Sequence, residues 1–316
     1  MSNPKRIRDL CKAWLAAAQS PDGGLAIGGD SDQHRLHQNG VEFHKLSLEE
    51  LRAACLGLIE NLLLAGMSTV IDLDHQLLWS WGGQLLLAPR ARVFSDEELE
   101  IAELFEICVL ASLAGARPPL SSREEWRAQK RLFHIEELNA REFVQHAHAV
   151  LPFLALPLLE AITKKACRAY VDYSGHVLQD WSAPGRGSAV RNYSPSDPNK
   201  SRCSSVRDLL YLLYDTVAGP DLRAALDEIR AIFRSRDPSK DPFDTIFDWR
   251  NQVLHGQTSH QTIGGTVLSI VILVSLEFVA GDYDARRDRQ VGQLQWEQQT
   301  GSSSGARPEW SYYPPF

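Results

Sequence analysis

Arg250 and His255 are the residues whose types and setting best suit chemistry. A guanidinium stays charged and presents several donors to anionic oxygens. An imidazole takes up and releases a proton near neutrality. Both lie in Asp241-Pro-Phe-Asp-Thr-Ile-Phe-Asp-Trp-Arg-Asn-Gln-Val-Leu-His-Gly256. The spacing predicts a helix over 241–255, with Asp241 as its cap, Pro242 in its first turn and Gly256 just past its end. At about 100° per residue, Phe243, Ile246, Phe247 and Leu254 share one face, with Arg250 in the middle of it. Asp244, Asp248, Asn251 and His255 form a separate polar stripe. An arginine amid apolar residues must be paired or must meet an anion. Two arrangements satisfy that: an acid from a neighbouring helix, such as Glu160 or Glu277, or a cleft or subunit interface that receives an anionic group.

The elements around this helix have a consistent pattern. A long helix is expected from about 145 to 173, with Pro152 and Pro157 bending or dividing it. A Gly/Pro/Ser-rich loop follows over 174–203. Then come helices over 205–218, with the stripe Val206, Leu209, Leu210, Leu213 and Val217, and over 220–235, with Leu222, Leu226, Ile229 and Phe233. A very apolar segment occupies 262–280. Its run from Val267 to Leu276 is half the roughly 20 residues that a bilayer span needs, so it reads as a buried core helix and no membrane is expected. Together these segments predict an antiparallel helical bundle over 141–285.

The pair Arg250 and His255, with Asn251 directly after the arginine, resembles the motif of the HEPN superfamily. There an arginine, four to six residues and a histidine end a helix of a small bundle. Bare spacing also matches Arg127 with His134, and Arg141 with His146 and His148. The 250–255 pair is set apart by its asparagine, by the helix end with glycine next, and by its penultimate place in a bundle of suitable size. The resemblance covers roughly 145–285. It implies a metal-independent endoribonuclease of the toxin or antiviral-defence kind, or a catalytically silent relative that binds RNA, a nucleotide or a protein. RNA, an antitoxin or regulatory partner, and a homodimer are the implied partners, and no cofactor is expected. In such an enzyme the 2′-OH attacks the adjacent phosphorus, His255 moves a proton, Arg250 offsets charge on the phosphoryl oxygens, and Asn251 orients the imidazole or bonds a phosphate. Five residues on an ideal helix put Arg250 and His255 about 140° apart. Two copies facing across a two-fold axis relieve that separation, and the family is known for such composite sites.

Charge adds a candidate binding surface. The chain of 316 residues has net charge −7, yet residues 164–207 carry eight bases against three acids. Arg186, Arg191, Lys200 and Arg202 are the candidate RNA contacts in that stretch, against the alternative of a solvated loop. A third reading of the whole chain is a structural adaptor in which Arg250 is a buried ion pair.

The first 140 residues resemble no nameable family. Helices are expected over 5–18 and 47–65, the latter opened by a Ser47–Glu50 capping box, and from Ser95, with Glu98, to about Ala114. Residues 121–133 restart a helix. The segments 68–79 and 84–94 read as the only plausible strands, joined in a hairpin around Gly82-Gly83. The fold class is therefore mainly α, divided as 1–140, 141–285 and a flexible tail over 286–316. His34, His37 and His44, His146 with His148, and Asp72 with Asp74 are weighed as metal ligands and read as structural or solvated instead. No phosphate-binding glycine loop occurs. The N-terminus has no apolar stretch of a signal peptide. Five scattered cysteines suit a reducing, cytoplasmic setting.

Overall fold

Capping chemistry written in the sequence sets the helix starts. A computed structural model of the chain describes residues 3–20, 24, 26–65, 73–88, 92–114, 147–185, 189–256, 261–300 and 313. Among these are ten α-helices and one two-stranded sheet, so the chain is mainly α. The helices are α1 (Pro4–Ala18), α2 (Leu48–Ala65), α3 (Leu73–Leu87), α4 (Leu99–Ala114), α5 (Ala147–Ala166), α6 (Val206–Leu212), α7 (Pro220–Arg236), α8 (Pro242–Leu254), α9 (Gln261–Ser275) and α10 (Tyr283–Thr300). Before α2, Ser47 N–H donates to Glu50 Oε2 at 2.8 Å and Glu50 N–H to Ser47 Oγ at 3.3 Å. Ser95 and Glu98 make the same reciprocal pair before α4.

The chain separates into two units, Met1–Ala155 with Ser259–Phe316, and Leu156–Thr258. The expectation had the apolar helix complete the bundle of the Arg250 helix. Instead α9 lies in the first unit, where it packs on α2 and α3. Thr262–Val279 is long and apolar enough to cross a membrane, and 89% of it is buried inside the protein.

The expected hairpin around Gly82-Gly83 does not form. Both glycines lie inside α3, whose side chains are buried on nearly every side. A helix wrapped all round by apolar neighbours loses its amphipathic signature, which is why its periodicity was ambiguous. A Cβ at Gly82 would come within 2.9 Å of Ile272 Cδ1 on α9, so glycine here serves close helix packing. Trp79 on α3 donates its indole N–H to Ser269 Oγ on α9 at 3.0 Å and fixes the same contact. Residues 68–72 and 89–91 of the two predicted strands lie outside the described residues.

The only strands described are elsewhere. β1 (Trp181–Pro184) pairs antiparallel with β2 (Val190–Tyr193), Trp181 opposite Tyr193 and Pro184 opposite Val190. They sit inside the segment expected to be loop. Two further differences concern helices. α5 continues through Pro152 and Pro157 rather than dividing at either. Residues 283–300, mostly assigned to a flexible tail, form α10, and Tyr313 beyond it is buried against His44 and Trp81. The predicted helix restart at 121–133 lies outside the described residues.

Candidate functional site

The helix α8 begins as its sequence dictates. Asp241 accepts from Phe243 N–H at 2.9 Å, and Pro242 occupies the first turn. Its end also follows the sequence. His255 N–H donates to Asn251 O at 3.0 Å and Gly256 N–H to Val253 O at 2.9 Å, with Gly256 at φ +68°. That left-handed conformation is where glycine is favoured.

Packing fixes the helix axis. Phe243, Ile246 and Val253 are buried, and Phe243 meets the Tyr211 ring edge-on at 4.9 Å. Trp249 lies against Phe233 of α7 at 5.3 Å. Leu254, expected on the buried face, is instead 53% exposed, and Val253 takes the inward position of the last turn.

Polar contacts lock the first half of α8. Arg207 Nε donates to Asp244 Oδ1 at 2.5 Å, and Lys240 pairs with Asp248. Arg207 also reaches Asp208, and its remaining donors go to the carbonyls of Pro184 and Gly185 in the hairpin. Asp208 is fully buried and accepts from Arg207 at 3.0 Å, from Arg191 at 2.7 Å and from the Tyr193 hydroxyl at 2.6 Å. Burial opposes the charge on Arg207, but Asp208 and Asp244 overcome it and hold the guanidinium above its ordinary range. Burial and the bond to Asp208 together push the Tyr193 hydroxyl up. One buried carboxylate thus ties the hairpin and α6 together, and Arg207 extends the tie to α8.

The candidate catalytic residues occupy the other half of α8. Arg250 is 31% exposed at its side chain, with Nη2 3.6 Å from Glu160 Oε2. Glu160 also receives Lys164 at 2.9 Å, so the arginine shares its acid. Glu277, the other acid considered, pairs with Arg52 in the first unit. Asn251 is half-buried and His255 is exposed. Among the described residues, neither the Asn251 nor the His255 side chain makes a hydrogen bond or ion pair, and none joins Arg250 to His255. The polar stripe of α8 therefore divides. Its two acids fix the helix, while Asn251 and His255 remain available at the end.

The four candidate RNA contacts are not one surface of idle cations. Arg191 is bound to Asp208, which raises its charge affinity further. Lys200 lies 3.1 Å from Asp197, and Arg202 donates to Ser174 O at 3.2 Å. Arg186 lies outside the described residues.

The other weighed clusters have structural partners. Asp74 accepts from the backbone N–H of Leu36 and His37 and lies 2.7 Å from His37 Nδ1, which fastens the 31–46 loop to α3. His75 Nε2 lies 3.1 Å from Leu58 O. His34 is half-buried in a short helical turn. Asp72, His146 and the alternative pairs at Arg127 and Arg141 lie outside the described residues, as does the side chain of His148. Among the described residues no group of three His, Cys, Asp or Glu is arranged to hold a metal. None of the five cysteines is in a disulfide and all are buried, and burial pushes the thiols of Cys55 and Cys167 up to about 12, away from nucleophilic use.

The Arg207–Asp208–Asp244 lock escaped the sequence. Its one local signal is an Arg-Asp pair in the first turn of a helix, beginning two residues past the cap Ser205. No family model, curated protein or solved structure matches this chain.

Proposed function

We propose that the chain is a metal-independent endoribonuclease of HEPN type, working at Arg250 and His255. The observation that supports it is the end of α8. An arginine with only a long, shared ion pair sits five residues before an exposed histidine, on a helix fixed by other polar contacts. In an adaptor held by a buried ion pair, Arg250 would be enclosed and at hydrogen-bond distance from its acid. It is neither.

The reaction assigns one role to each group. The RNA 2′-OH attacks the adjacent phosphorus as His255 takes its proton, and the bond to the 5′ oxygen breaks. Arg250 stabilises the charge on the phosphoryl oxygens, and the proton returns to the leaving oxygen. The products are a 2′,3′-cyclic phosphate and a 5′-OH. His255 of a second copy supplies the other proton transfer in a dimer. A toxin or antiviral role in the cytoplasm belongs to the same proposal.

The deciding experiment incubates the purified protein with total RNA and EDTA, beside Arg250→Ala and His255→Ala. Cleavage that survives EDTA, leaves cyclic phosphate ends and is lost in both folded variants is expected. A requirement for Mg²⁺, or unchanged rates in both variants, rejects the proposal.

One observation favours a second reading, a catalytically silent RNA-binding module. Glu160 holds a carboxylate where Arg250 would meet a phosphate. That reading predicts RNA binding weakened by Arg250→Ala with no cleavage at any pH.

A further inference from the structure

Glu160 and Lys164 lie one turn apart on α5, in the same unit as Arg250. A glutamate four residues before a lysine is the favourable order for a pair on one helix face. Glu160 divides its two oxygens between two cations. Oε1 takes Lys164 Nζ at 2.9 Å, and Oε2 faces Arg250 Nη2 at 3.6 Å. Among the described residues no second acid lies within ion-pair distance of either cation. Two positive charges therefore share one carboxylate, and the surplus falls on the partner held more loosely, Arg250.

Lys164 is the partner held firmly. Its side chain is 11% exposed, and its ammonium also donates to Tyr173 O at 3.2 Å. Tyr173 belongs to the turn that follows α5, and backbone bonds close that turn. Gly175 N–H donates to Asp172 O at 3.0 Å, and Cys203 N–H donates to Gly175 O at 2.8 Å. Gly175 has φ +85°, and a Cβ there would come within 2.6 Å of Cys203 O, so this close approach requires glycine. Lys164 also lies in the last turn of α5, where the helix dipole favours a cation.

This arrangement has an electrostatic consequence at the end of α8. A carboxylate beside an arginine competes with an incoming phosphate for it. A carboxylate already neutralised at hydrogen-bond distance by a fixed lysine competes far less. Lys164 is itself nearly buried, so it acts through Glu160 rather than on the RNA.

We propose that Lys164 is a positioning residue of the Arg250–His255 site: it holds and neutralises Glu160, and so leaves Arg250 free to receive a phosphate of the RNA. The proposal rests on the reading of that site as an RNA site. It assigns Lys164 no contact with RNA and no proton transfer.

Binding of a 2′-fluoro RNA oligonucleotide, which lacks the attacking hydroxyl, separates affinity from cleavage. Lys164→Met should weaken that binding by about fivefold, the scale of one partly exposed ion pair. It should raise KM for RNA by the same factor with kcat little changed, because the lost interaction serves binding alone. Lys164→Arg should keep the parent affinity. In a Glu160→Gln background Lys164→Met should change nothing, since no carboxylate remains to be neutralised. A lysine that touches RNA, or one that only holds the fold, loses affinity in both backgrounds, and that result overturns the proposal. So does unchanged binding in Lys164→Met. Lys164→Gln keeps donors for Glu160 and Tyr173 O without the charge; it must show the same loss, and it replaces the methionine variant if that fails to fold. RNA neither bound nor cut by the unaltered protein overturns the reading of Arg250 and His255 as well. Parent-like binding by the Lys164 variants of a protein that does bind RNA overturns the role of Lys164 alone.

Discussion

Arg250 Nη2 and Glu160 Oε2 lie 3.6 Å apart, close enough to attract and too far for a direct hydrogen bond. A charge pair at that separation and partial exposure is weak. It nevertheless places a negative charge where an incoming phosphate would go. Glu160→Gln should therefore raise kcat/KM for RNA by about threefold, with little change in Tm, because like-charge repulsion is removed at modest cost. A fall in RNA cleavage in this variant would show that Glu160 positions Arg250 rather than competing for it.

Dimerisation should run through the exposed end of α8. The apolar helix α9 is buried in the other unit, with Val267 to Val274 nearly inaccessible. Leu254 is the exposed apolar residue next to His255. Leu254→Glu should give a monomer by light scattering and lose RNA cleavage together with dimerisation. An active monomer would show that each chain carries a complete site.

The Asp208 lock should be worth a large share of stability. Asp208→Asn leaves Arg207 with one fewer acid in a buried setting and weakens the bonds from Arg191 and Tyr193. Breaking a buried pair from one side costs about 3 kcal/mol or more. Urea denaturation should show that loss, and Asp244→Asn, on a half-buried acid, a smaller one. Equal midpoints for Asp208→Asn and the parent would remove the lock from the account of how α8 is held.

Salt dependence tests the basic stretch at 164–207. Arg191 is committed to Asp208, so its removal mixes folding with binding. Lys200→Ala with Arg202→Ala is the cleaner variant, since both lie on the exterior. If both meet phosphates, the slope of log affinity against log salt should flatten by about 2. An unchanged slope moves RNA contact away from this loop.

Acid stability should depend on His44. Burial lowers its pKa to about 4, and its Nδ1 lies 3.2 Å from the Tyr313 hydroxyl. The unfolded chain binds a proton near pH 6.5, the folded chain near 4, so the unfolded state holds more protons between those values. Stability contributed by neutral His44 is thus complete above about pH 6.5 and falls as pH drops toward 4. His44→Gln should shallow the slope of the urea midpoint against pH in that window. An identical slope in parent and variant would show that other groups set it.

The sequence by itself determined where α8 starts and stops. Asp241, Pro242 and Gly256 act on their immediate neighbours, and short-range backbone chemistry is readable one residue at a time. The same holds for the capping boxes at Ser47 and Ser95. It also determined that Arg250 needs a partner, because a charge set among Phe243, Ile246 and Phe247 is costly in any fold. Tertiary structure alone decided which acid answers that need. Glu160 and Glu277 were equal candidates in sequence, and only the fold gave one to Arg250 and the other to Arg52. It decided that Gly82 and Gly83 pack a helix rather than turn a hairpin, since the reason is Ile272 on a distant element. It decided that Arg191 anchors to Asp208 instead of standing free. In each of these the deciding partner is far along the chain, and local pattern holds no information about who arrives there.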